Sequence, residues 1–214
     1  MSVPPYLRDP AEIYRRSFAM IREACDLSRV PAALQPLALR VVHACGMPEI
    51  VGDLRFSPDA AEAGRYALEA GAGIYCDARM VAEGVIRARL PRSNGVVVTT
   101  DAPSAADRAR REGTTRAAAG MAIHRDVVAG AVVAIGNAPT ALFRLLEEID
   151  RGAPRPALIL AFPVGFVGAA ESKDELVRDP RGVPFVTLLG RRGGSAMAAA
   201  AVNALLGNAE DATP

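Results

Sequence analysis

The chain has 214 residues, of which 50% are hydrophobic and 23% charged, a balance that supports a packed core and excludes a disordered chain. Its 25 lysines and arginines nearly cancel its 24 aspartates and glutamates, leaving a formal charge of +1. No overall field therefore holds a nucleic acid or a membrane surface, and any anionic partner must be met locally.

Residues 1–10 carry Arg8 and Asp9 and lack the apolar h-region of an export signal. Together with three scattered cysteines (Cys25, Cys45 and Cys76) and no CxxC spacing, this predicts a cytoplasmic protein without a disulfide framework. A first helix is expected over 10–28, with Ile13, Tyr14, Met20, Ile21, Ala24 and Cys25 on its apolar side and Glu12, Arg15, Arg16, Arg22, Glu23 and Asp26 opposite. Ser17 falls inside the apolar arc, where an unpaired hydroxyl would cost roughly 1–3 kcal/mol. It therefore needs either a back-bond to the carbonyl of Ile13 or a ligand.

A second helix over 32–45 has the apolar stripe Leu34, Leu37, Ala38, Val41, Val42 and Cys45, with Arg40 and His43 sharing the opposite face at i, i+3 spacing. A neighbouring arginine favours a neutral imidazole and a neighbouring carboxylate a charged one, so the direction of any shift at His43 depends on what joins the pair.

Five strands follow, over 73–77, 96–100, 131–136, 157–163 and 183–190, with helical segments between most of them. They are apolar along their length rather than alternating, which predicts a parallel or mostly parallel α/β sheet covered on both faces. The apolar stretches 127–143 and 156–170 are broken by Gly, Asn and Pro and fall short of the ~20 residues that span a bilayer, so no transmembrane helix is expected. The Ala-rich run 196–201 predicts a closely packed helix. One domain, 1–214 with short flexible ends, accounts for the chain.

Ligands of such sheets bind beyond the carboxyl ends of the strands. Those ends carry Asp77 and Arg79, then Asp101, then the turn Gly136-Asn137-Ala138-Pro139-Thr140, whose backbone N–H groups could either hold an anion or cap a helix. Beyond these come the loop from Pro163 to Lys173 and the segment Gly190-Arg191-Arg192-Gly193-Gly194-Ser195. With Arg116, they suit a multiply charged organic anion. GxxxxGK[ST], GxGxxG and GxSxG are all absent, which argues against nucleotide and serine-hydrolase readings. No histidine or cysteine spacing predicts a metal site, and His124 is expected to be structural.

Several stretches resemble the precorrin-8X methylmutases (precorrin isomerases) of cobalamin biosynthesis: Tyr6-Leu7-Arg8-Asp9-Pro10, Ile13-Tyr14-Arg15-Arg16-Ser17-Phe18, Val42-His43-Ala44-Cys45-Gly46, the turn from Gly136 to Thr140, and the loop from Pro163 to Asp174. The resemblance covers nearly the whole chain and departs from the family pattern chiefly at Gly190 to Gly193 and around His124. It implies a three-layer α/β/α fold with a Rossmann-like, mostly parallel five-stranded sheet. It also implies a homodimer with sites near the subunit interface, no added cofactor, and migration of a methyl group from ring carbon eleven to ring carbon twelve of precorrin-8X to give hydrogenobyrinate. Carried over residue by residue, it makes His43 the proton-transferring residue and Ser17, Arg40, Tyr14 and Arg116 substrate contacts. The carboxylates that edge such a ring suit rim cations such as Arg40, Arg116, Arg191 and Arg192. The alternatives are a cobalt-precorrin-8 version of the same isomerase and a carrier that binds the tetrapyrrole without transforming it.

Overall fold

Asp9 caps the first helix by accepting from the Ala11 N–H, and Pro10 occupies the position where a missing N–H costs nothing, so α1 runs Pro10–Ala24. The computed structural model describes residues 6–207, and the flexible ends expected at the termini lie outside the described residues. After a 3₁₀ turn, Ala32–Leu34, α2 runs Gln35–Cys45 and stops at Gly46, whose left-handed φ of 71° suits glycine. There follow β1 (Leu54–Phe56), α3 (Ala60–Glu69), β2 (Ile74–Cys76), α4 (Arg79–Gly84), β3 (Val96–Val98), α5 (Ala105–Glu112) and α6 (Arg116–Ile123). The rest of the chain forms β4 (Val132–Ile135), α7 (Pro139–Asp150), β5 (Leu158–Ala161), α8 (Ala169–Arg178), β6 (Phe185–Leu188) and α9 (Ser195–Ala204).

The strands form a six-stranded sheet in the order β1-β6-β5-β4-β2-β3, parallel except for β1 against β6. The five strands expected from the sequence are all present in shortened form. The sixth, β1, is a three-residue antiparallel edge with Arg55 exposed at its centre, too short and too polar to stand out as an apolar run. Strand side chains divide between two cores. Val132, Ala134, Leu158 and Leu160 pack beneath α2, α3, α4 and α9, while Val133, Ile135, Ile159 and Ala161 pack against α6, α7 and α8. This is the three-layer arrangement, and it explains why these strands read as continuous apolar runs.

The Ala-rich α9 is buried against α2 and α4, its small side chains allowing close approach. The first helix ends four residues earlier than expected, at Ala24. Its apolar arc is only partly used: Phe18 and Ile21 pack toward α2, whereas Ile13 and Met20 remain 45% and 69% exposed. Among the described residues, no helix is long and apolar enough to cross a membrane.

Candidate active site

Four of the five residues singled out in the sequence meet where α1 crosses α2. Ser17 Oγ lies 3.0 Å from His43 Nδ1, and Arg40 Nη2 donates to the Tyr14 hydroxyl at 2.8 Å. Phe18 binds the group together: its ring stacks on His43 (centroids 4.9 Å apart, planes at 21°), sits 4.6 Å from Tyr14, and has the Arg40 guanidinium 5.9 Å above it. Phe18 was not among the expected site residues. The available signal was its i, i+4 spacing from Tyr14, which puts two aromatic rings on one helical face.

The Ser17 hydroxyl thus pairs across the helices, with His43, and not with the carbonyl of Ile13. The pairing fixes the ring and couples its tautomer to the hydroxyl. When Nδ1 carries the proton it donates to Ser17, leaving Nε2 as a base; when the hydroxyl donates to Nδ1, Nε2 carries the proton. Burial, and after it the like charge of Arg40, lower the pKa of His43 from its ordinary value, so the ring is neutral at neutral pH. No carboxylate reverses this.

Arg40 departs from its expected place on a solvated face. It is 7% exposed, because α1 lies over that side of α2, and its Nε has no hydrogen-bond partner. Burial lowers its pKa too, although Tyr14 acts in the opposite direction. A buried guanidinium with an unpaired N–H and no carboxylate beside it is a costly group that an incoming anion would satisfy.

Arg116 stands apart from this cluster. It opens α6 on the other side of the sheet, where the Thr115 hydroxyl caps the helix by accepting from the Ala118 N–H and pairs with Thr140 at 2.7 Å. Its Nε donates to the Thr100 carbonyl at 2.8 Å. Among the described residues, no contact brings it to His43.

The strand order reverses between β2 and β4, the place where open α/β sheets form a ligand crevice. Here the crevice is spanned by Asp77, 1% exposed, which accepts from the N–H groups of Gly136, Asn137 and Ala138 at 2.9, 3.0 and 2.6 Å. The turn from Gly136 to Thr140 is therefore a clamped helix start and not an open anion cradle. Burial raises the pKa of Asp77 and the three donors oppose that rise.

Nearby, Arg79 pairs with Asp101 at 2.6 Å. Arg192 bridges to Glu49 and Asp53, each at 3.2 Å, while Arg191 lies 5.4 Å over the Phe166 ring. The Nδ1 of His124 lies 2.8 Å from the Gly120 carbonyl of its own helix. Among the described residues no cluster of three or more His, Cys, Asp or Glu side chains could hold a metal ion.

The family model for precorrin-8X methylmutase matches residues 12–208. A precorrin-8X methylmutase of Pseudomonas aeruginosa is 62% identical over 200 residues, covering 94% of this chain and 96% of that protein. One from a Sinorhizobium species is 56% identical over 200 residues, covering 94% and 95%. The crystal structure of a precorrin-8X methylmutase from Thermus thermophilus superposes with a TM-score of 0.83 at 40% identity, covering 94% and 96% of the two chains.

Proposed function

This chain belongs to the precorrin-8X methylmutase family, an isomerase of cobalamin biosynthesis, and from that premise we propose that His43 carries the proton transfer that lets a methyl group move from ring carbon eleven to ring carbon twelve of precorrin-8X. The observation that carries the assignment is the solvent-accessible imidazole of His43, its pKa lowered, oriented by Ser17 on one side and Phe18 on the other. An isomerisation gains and loses no atoms, so a group that gives a proton in one step takes one back in another. A neutral imidazole titrating below its ordinary value can do both, and such assistance contributes ~10²- to 10⁴-fold.

The substrate is a flat apolar ring edged with carboxylates. Tyr14 and the exposed Ile13 supply apolar surface beside His43, with the buried Phe18 ring behind them, while Arg40 offers an unpaired N–H to a carboxylate. The product, hydrogenobyrinate, keeps the same carboxylates and the same contacts.

The working unit is a homodimer of cytoplasmic chains, each acting as one domain over 1–214 with no added cofactor. Two features support the dimer: the exposed Ile13 and Met20 of α1, which flank the Ser17–His43 pair, and the position of Arg116 across the sheet from that pair. In a dimer, Arg116 contacts the substrate held by the other protomer.

The test is the visible spectrum of the protein before and after addition of precorrin-8X, because the methyl shift extends conjugation. A new spectrum with wild type, slowed by orders of magnitude in His43→Ala while the tetrapyrrole still binds, is the expected result. Normal turnover by His43→Ala removes the assignment, and binding without chemical change in wild type would make the protein a carrier.

A further inference from the structure

Lys173 is the only lysine in the sequence; every other basic side chain that carries a permanent charge is an arginine. It is also one of the most deeply buried residues, with 0% of its surface exposed. A buried ammonium ordinarily has a carboxylate against it. Lys173 has none in hydrogen-bond contact: Nζ donates to the carbonyls of Pro163 at 3.1 Å and Arg192 at 2.7 Å, and the nearest favourable charge is Asp174, exposed on the next position of α8.

The two carbonyls belong to the loops that leave β5 and β6, and these loops run backbone against backbone. The Gly194 N–H donates to the Phe162 carbonyl at 2.8 Å and the Gly165 N–H to the Arg191 carbonyl at 3.2 Å. A Cβ on Gly193 would lie 2.4 Å from the Phe162 oxygen, so only glycine permits the approach. Between these two bonds the carbonyls of Pro163 and Arg192 converge with no N–H of their own. A compact ammonium on a flexible stem can enter from below and donate to both, which the planar fork of an arginine cannot do in a fully packed space.

The joined loops carry Phe166 with Arg191 over its ring, and they tie through Arg192 to Glu49 and Asp53, in the 3₁₀ turn Pro48–Asp53 that follows the helix of His43. We propose that Lys173 is a positioning residue: it locks the two loops into one platform from which Arg191 and Phe166 meet a carboxylate and the ring edge of the tetrapyrrole. This rests on the methylmutase reading above. Replacing an ammonium at this depth by an apolar side chain of similar volume would remove a desolvation cost, so its presence needs the loop geometry as its reason.

The experiment uses full-length protein and precorrin-8X. Lys173→Met should raise KM about tenfold, the size of one lost charge-assisted contact, with kcat changed by less than about twofold. Lys173→Met added to Arg191→Ala and Phe166→Ala together should be no worse than that pair alone, since Lys173 acts through both side chains. Hydrogen exchange at the Gly165 and Gly194 amides should quicken in Lys173→Met.

A folded Lys173→Met protein with wild-type KM, or one that loses only thermal stability, overturns the proposal. If that variant does not fold, wild type labelled with lysine carrying ¹³C at the ε carbon alone gives a single side-chain resonance. That resonance must move when hydrogenobyrinate binds, and its failure to move also overturns the proposal. Wild type that leaves the precorrin-8X spectrum unchanged refutes the methylmutase reading and the substrate role with it, while slow exchange at Gly165 and Gly194 would still mark the loops as clamped.

Discussion

Ser17→Ala isolates what the hydroxyl does for His43. The substitution removes one hydrogen bond of 3.0 Å to Nδ1 and leaves the Phe18 ring stacked 4.9 Å away, so the imidazole stays in place but loses the partner that sets its tautomer. A neutral side-chain hydrogen bond is worth ~0.5–1.5 kcal/mol net, and the half-open site lets water replace part of it. With 1.36 kcal/mol per factor of ten, the rate should fall about threefold to tenfold, against the ~10²- to 10⁴-fold expected for loss of the imidazole itself. The assay is the single-turnover rate of the visible spectral change at saturating precorrin-8X, followed from about pH 5 to 8, the range in which histidine titrates. Two results would refute the reasoning. An unchanged rate would mean that the Ser17–His43 bond has no part in the reaction, and a loss as large as that of His43→Ala would make Ser17 a reacting group.

Arg40→Met removes the second cause of the lowered His43 pKa while burial, the first, persists, so the acid limb of the pH–rate profile, where His43 becomes protonated, should move to higher pH and yet stay below the ordinary 6.5. The same variant should bind hydrogenobyrinate more weakly, and wild-type affinity would remove Arg40 from the site. Because the folded pKa of His43 is depressed, the unfolded chain takes up its proton first, and wild-type stability should fall as pH drops below 6.5 by more than it does in His43→Ala, measured by denaturant titration. Finally, an inactive His43→Ala protein mixed and refolded with an inactive Arg116→Ala protein should regain activity, since one of the two sites of a mixed dimer is then intact; no recovery would refute the supply of Arg116 from the second protomer.

Much of the scaffold could be read from the residues because burial on both faces leaves an unmistakable mark. Val132–Ile135 and Leu158–Ala161 are apolar without interruption, and the stripe from Leu34 to Cys45 is the face that α2 turns to the core. What could not be read depends on contacts between segments far apart in the chain. Arg40 belongs to the polar side of an isolated helix and becomes buried only because α1 lies across it. Ser17 has a local acceptor within its own helix, and nothing local says that a histidine 26 residues away offers a better one. The turn at Gly136 exposes its N–H groups in sequence, but Asp77, 59 residues earlier, reaches them first. Lys173 is the reverse case: its singularity is plain in the composition, yet it acquires meaning only once it is seen to be buried between two carbonyls.

The placement of the cations bears on how such a small chain handles a large ligand. A ring with carboxylates around its whole edge needs positive groups on several sides, and within one protomer the sheet itself separates Arg40, behind α1, from Arg116, at the start of α6. Widening one chain to enclose the ring would demand further helices. A two-fold pairing instead reuses each surface twice, since an isologous contact presents the same patch from both subunits. In the proposed dimer, the operation that covers Ile13 and Met20 would also bring a foreign Arg116 toward each Ser17–His43 pair, and the open face of α1 would then follow from where the substrate must lie.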